Sequence, residues 1–226
     1  MKYKILSILL ILFLPLYFFI SKSSASDSQS VPELYTTPDE TSIVVNNYNE
    51  LAAAITGDND YTTIYLNADI EITGRINFPP NKTNLTINGT YTNEQGVTTR
   101  HTLTDMNSAS ITNSIYIASA TSEINVTLCN VDIVGKNYYG IVAVEAVSST
   151  KSVTLIYINV NYTGPQISYN RQGTVRYIDS NITIKTSSGY ASPSNELAEV
   201  NRVEIGGKTT IYHTSTGNAE IGRAHV

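Results

Sequence analysis

The run Val126-Thr127-Leu128-Cys129-Asn130-Val131-Asp132-Ile133-Val134-Gly135 decides the architecture, because it comes back. It returns as Val153-Thr154-Leu155 followed by Asn159-Val160-Asn161-Tyr162 and Gly164, then around Val175, ending in Asn181-Ile182-Thr183-Ile184. Asn130 to Asn159 is 29 residues and Asn159 to Asn181 is 22. Within each copy apolar and polar residues alternate, which is the period of a half-buried strand. Alternation inside a repeat of this length predicts stacked coils, each strand bonding to those above and below. A two-sheet sandwich also suits short strands with regular turns. The recurrence favours the coil.

The expected fold class is therefore all-β: a right-handed parallel β-helix (solenoid) from about Thr62 to Thr216. At ~22 residues per coil, within the solenoid range, that is roughly seven coils. Val126, Val153 and Val175 are expected in one interior ladder, and Val131, Val160 and Ile182 in another. Asn130, Asn159 and Asn181 are expected to share a column at the turns, where Asn tolerates left-handed backbone and stacks amide on amide. Cys129 reads as a small buried hydrophobe.

Upstream of the strands lies one short helix. Asn47 is placed to cap it and Glu50 to reach back, with Leu51, Ala52 and Ile55 on one face and Gly57 at its end. A helix ahead of a solenoid serves as a lid, since a bare first coil would expose apolar interior and unpaired strand edges.

The ends read differently from the middle. Lys2 and Lys4 precede an apolar run from Ile5 to Ile20, and Ser23 and Ala25 sit at a plausible cleavage site. Residues 1–25 are thus expected to be a signal peptide, the run being short of the ~20 residues that span a bilayer. Residues 26–42 are expected to be a flexible lead-in and 43–219 the β-helix domain. Ile221 to Val226 is what the opening of a common sequencing adapter would encode. That predicts a non-native tail over 220–226, a domain cut short at its C-terminus, and an uncapped last coil.

Composition narrows the function. The chain holds 28 Thr, 22 Asn and 16 Tyr, with no Trp and one Cys. Fourteen basic residues against nineteen acidic ones exclude a nucleic-acid binder, which needs a basic footprint. Without residues 1–25 the balance is 11 against 19, or −8. One Cys excludes an internal disulfide framework, and no spacing resembles a zinc site. No cofactor, metal ligand or membrane span of the mature chain is expected.

Polyuronate cleavage would need clustered carboxylates on neighbouring coils and an Arg or Lys base. Asp132 faces outward, but its expected counterparts are Asn161 and Thr183. Arg171, Arg176 and Arg202 have no acidic cluster beside them in sequence, and His101 and His213 are isolated in Thr-rich strands. No catalytic residue is assigned. Tyr138, Tyr139, Tyr162 and Tyr169 fall near coil corners, where a ring stacks on a sugar or packs across strands. With Gln166 they form the candidate ligand-binding set.

A resemblance sharpens this. Asn137-Tyr138-Tyr139-Gly140, then Val160 to Gln166, Tyr169-Asn170, Gly173-Thr174, Glu204 to Ile211 and His213-Thr214-Ser215 together resemble the pectate-lyase-like adhesive domain of Gram-positive surface proteins. The resemblance covers roughly residues 46–219 and is most specific between 125 and 217. It implies a right-handed parallel β-helix and a non-catalytic adhesive or cell-wall-associated role outside the cell. The implied partner is a host or cell-wall glycan, or a surface protein. The alternative is a polysaccharide lyase or hydrolase acting on uronate-containing glycans.

Overall fold

The computed structural model describes residues 39–106, 114–137, 139–145, 152–185 and 196–214. The chain enters through β1 (Ser42–Val45) and α1 (Tyr48–Thr56). A first full coil follows: β2 (Thr63–Leu66), β3 (Ile70–Ile72) and β4 (Ile76–Asn77). The next holds β5 (Asn84–Asn88), the antiparallel hairpin β6 (Thr90–Thr92) and β7 (Thr98–Arg100), then β8 (Thr102–Asp105) and β9 (Ile115–Ile117). Then come β10 (Ile124–Cys129), β11 (Asp132–Val134) and β12 (Val142–Val144), followed by β13 (Val153–Ile158) and β14 (Asn161–Gly164). The chain closes with β15 (Ser168–Ile178), β16 (Asn181–Ile184), β17 (Ala198–Gly206) and β18 (Thr210–His213).

All pairings except the hairpin's, and one isolated bridge between Gly140 and Ser168, are parallel and run from coil to coil, which makes a parallel β-helix with three faces. The first face stacks β1, β2, β5, β10, β13 and the last residues of β15 and β17. The second stacks β3, β8, β11, β14, β16 and β18. The third stacks β4, β9, β12 and the first residues of β15 and β17. Strand β15 turns the corner between faces without a break. There the Asn170 amide donates to the Val153 and Thr174 carbonyls at 2.9 and 3.2 Å. A Cβ at Gly173 would collide with that same Val153 carbonyl, so the corner needs glycine.

The interior ladders differ in membership from those expected. On the first face Leu85, Val126, Leu155, Val175 and Val203 stand in one column. Val153 pairs Ile124 instead, one inward position away. On the second face the column is Ile70, Leu103, Ile133, Tyr162, Ile182 and Ile211, so Ile182 belongs with Ile133 rather than with Val131 and Val160. The reason is a shortened coil: Tyr157 to Tyr177 spans 20 residues, whereas Leu128 to Tyr157 spans 29. The turn column is corrected by the same shift. Asn130, Asn159 and Asp179 take positive φ of 51°, 51° and 50°, while Asn181 lies in the column of Asp132 and Asn161. The stacked amides are real: Asn159 Nδ2 donates to Asn130 Oδ1 at 2.8 Å.

Helix α1 is capped as its sequence predicts. Asn47 accepts from the Glu50 N–H at 3.1 Å, and Glu50 reaches back one residue further, to the Asn46 N–H at 2.7 Å. Leu51, Ala54 and Ile55 are buried, with Ala52 at the margin of the core. The helix packs on β1, β3 and β4, filling the place that second- and third-face strands of the first rung would occupy. The stack thus starts earlier than expected, with β1 at Ser42. At the other end Ile205 and Ile211 continue the inward columns but are 54% and 36% exposed, β17 and β18 being the last rung among the described residues. The expected tail at 220–226 lies outside the described residues.

Candidate functional site

The third face carries a cleft on its outer surface. Because side chains alternate along a strand, Ile115 and Ile117 point into the core and Tyr116 points out. Register sets Asn77, Tyr116, Ala143, Tyr169 and Glu199 in one outward column, one per coil. Two tyrosines therefore flank the small side chain of Ala143. A third ring, Tyr139, enters from the turn before β12 and meets Tyr169 edge to face, with centroids 5.0 Å apart and planes at 75°. Its backbone is held by the Asn137 side chain, which accepts from the Tyr139 N–H at 2.8 Å. Gly140 follows at φ 73°, where a Cβ would collide with the Ile167 carbonyl. Ala143 is fully buried although it faces outward, so the surrounding groups close over it.

Together these residues line a cleft of about 260 Å³ with Arg75, Val144 and Glu145 on its walls. Arg75 lies over the Tyr116 ring, 4.2 Å from its centroid. The Tyr116 hydroxyl donates to Glu145 Oε2 at 2.5 Å, and that bond raises the phenol's pKa above its ordinary value. Tyr169 is also raised, chiefly by burial, against an opposing pull from Arg171. Arg171 pairs with Glu199 at 3.5 Å. Three aromatic rings with an arginine and a glutamate at each end can stack on a ligand's apolar faces and bond its hydroxyls.

The candidate residues divide accordingly. Tyr139 and Tyr169 line the cleft. Tyr162 and Gln166 do not, and they are corrected here as interior residues. Tyr162 is 1% exposed and aligned with Ile133 and Ile182; its hydroxyl donates to the Gln166 carbonyl, in space that only Gly135 and Gly164 leave open. Gln166 is fully buried and donates from Nε2 to the Ser168 carbonyl at 3.0 Å. Tyr138 lies outside the described residues. Sequence reasoning missed Tyr116, Arg75, Ala143 and Glu145. The alternation Ile115-Tyr116-Ile117 did mark Tyr116 as outward, but uneven coil lengths hid that Tyr169 is its counterpart.

Asp132 has a structural partner. Arg100, at the end of the hairpin, pairs with it at 2.7 Å and donates to the Val131 and Asn159 carbonyls at 3.0 and 2.9 Å. Its column runs Thr102, Asp132, Asn161, Asn181, Thr210, so the expected Thr183 is replaced by Asn181. Asn161 donates to Asp132 at 2.8 Å and Asn181 to Asn161 at 3.1 Å. Arg176 and Arg202 share Glu204 at 2.6 and 2.9 Å. Among the described residues no three His, Cys, Asp or Glu side chains gather as a metal site. No helix among them is long and apolar enough to cross a membrane. Burial pushes the Cys129 thiol up to about 12, which keeps it protonated.

Residues 42–169 match the family of pectate lyase-like adhesive domains. No curated protein matches the chain. Among solved structures, one titled "L. reuters 100-23 SRRP" superposes with a TM-score of 0.60 at 17% identity. The match covers 84% of this chain and 57% of that one, so the chain spans little more than half the length of the solved protein. At that identity the likeness is one of fold.

Proposed function

Since this chain belongs to the pectate lyase-like adhesive domain family, we propose that it is an adhesive module, displayed outside the cell, which holds a glycan in the third-face cleft without cleaving it. The observation that carries the glycan is the cleft itself: the Tyr139–Tyr169 pair beside an outward Tyr116, with paired charges around them. Aromatic rings give large contact area at little entropic cost, and phenol, guanidinium and carboxylate edges orient hydroxyls. Binding without turnover is favoured by the use of Asp132, Arg176 and Arg202 in structural ion pairs. A base already engaged by a neighbouring charge is poorly placed to take a proton.

The test is a glycan array probed with the purified protein and with Tyr139→Ala and Tyr169→Ala, each checked for folding by circular dichroism. Loss of one stacking ring, at about 1.4 kcal/mol, should weaken binding about tenfold. Undiminished binding by both variants would remove the cleft from the proposal. Accumulation of unsaturated products from polygalacturonate or alginate would replace adhesion with lyase chemistry.

A further inference from the structure

The charges around the cleft are matched, and this bears on which glycan it takes. Arg75 and Glu145 both act on Tyr116, the first over its ring at 4.2 Å and the second on its hydroxyl. At the other end Arg171 stands 3.5 Å from Glu199, the next outward residue of the column after Tyr169. Recognition of a carboxylate or sulfate uses the bidentate edge of a guanidinium, and an acidic neighbour competes for that edge. The field of the whole protein points the same way. A chain of net charge −5 repels a polyanion before any contact forms.

Geometry sets the orientation. Tyr116 and Tyr169 are two rungs apart in one column, or about 9–10 Å at the usual spacing between strands. The cleft volume of about 260 Å³ is small beside the ~300–1,000 Å³ of typical small-molecule sites. It therefore suits one or two units of an unbranched chain running along the helix axis, across the strands. Resting on the cleft proposed above as the glycan site, we infer that its ligand is an uncharged, unbranched saccharide, and that Glu145 is a specificity determinant that turns acidic glycans away.

Isothermal titration calorimetry tests this with cellotetraose, mannotetraose, xylotetraose and tetragalacturonate, at about 50 and about 500 mM salt. A neutral tetrasaccharide should bind with a Kd that changes less than about twofold across that range, since no net charge is being paired. Glu145→Gln leaves Arg75 without its acidic neighbour and should raise affinity for tetragalacturonate about fivefold or more, in a salt-sensitive way. Suppose instead that tetragalacturonate binds the unaltered protein more tightly than any neutral sugar, weakens more than about tenfold with salt, and depends on Tyr139 and Tyr169. The cleft would then stand and the uncharged ligand would be wrong. Neutral-sugar binding that survives Tyr139→Ala and Tyr169→Ala would overturn the cleft itself, and binding of none of the four would overturn both.

Discussion

Leu155→Ala offers the most direct test of the stack. Leu155 is fully buried, with Val126 on the rung below and Val175 on the rung above. Truncation removes three carbons, worth about 0.8 kcal/mol each in transfer, or ~2.4 kcal/mol. The cavity term comes on top, because strands held in register on both sides leave the site little freedom to collapse. The expected total is about 3–4 kcal/mol. At roughly 2–4 °C per kcal/mol for a domain of this size, Tm should fall by about 6–15 °C. Ile205→Ala is the matched control: it also occupies an inward column, under Tyr177, yet it is 54% exposed. Less than half of its side chain leaves water on folding, so the loss should be about 1 kcal/mol or less. Thermal and urea unfolding followed by far-ultraviolet circular dichroism reads both. Equal losses for the two variants, or a Tm shift below about 3 °C for Leu155→Ala, would refute interior ladders graded from the middle of the stack to its last rung.

Three further outcomes are expected. Asn159→Gly should be nearly neutral at its φ of 51°, apart from the lost amide bond to Asn130, whereas Asn159→Ala should cost about 1–2 kcal/mol more in left-handed strain, measured by urea unfolding. Arg100→Ala should release the β6–β7 hairpin, raising amide exchange at Tyr91 and Thr99, while Asp132→Asn, which removes only a part-exposed ion pair, should change stability by about 1 kcal/mol or less. High pH should unfold the protein cooperatively. Burial raises Cys129 to about 12 and lifts Tyr157, Tyr162 and Tyr177 above the ordinary phenol value. These groups are neutral in both states below the unfolded-chain pKa values, so their contribution is fully present there. Above them the unfolded chain binds fewer protons than the folded one, and stability falls as pH rises from roughly 9 through 12. Tyrosinate absorbance from the buried rings should appear together with the loss of strand signal; its appearance well before unfolding would contradict their burial.

What the sequence by itself determined is the kind of fold and its local chemistry. Period-two alternation repeated every 20 to 30 residues has few stable solutions besides stacked coils, and the Asn47–Glu50 cap writes the helix start into four residues. Left-handed Asn130 and Asn159 were legible for the same reason, since few side chains accept that backbone. Register was not legible. It depends on how much chain each coil spends in loops, and a hairpin in one coil or a turn shortened by nine residues in another shifts every later alignment without altering the strands. That shift is why Tyr162, which looked like a corner tyrosine, belongs to the interior column of Ile133 and Ile182. The cleft shows the same limit more sharply. Arg75, Tyr116, Glu145 and Tyr169 come from four coils and share no sequence pattern. Only the pairing of β4, β9, β12 and β15 brings them onto one face, because strands stacked by backbone hydrogen bonds place residues by rung and not by distance along the chain.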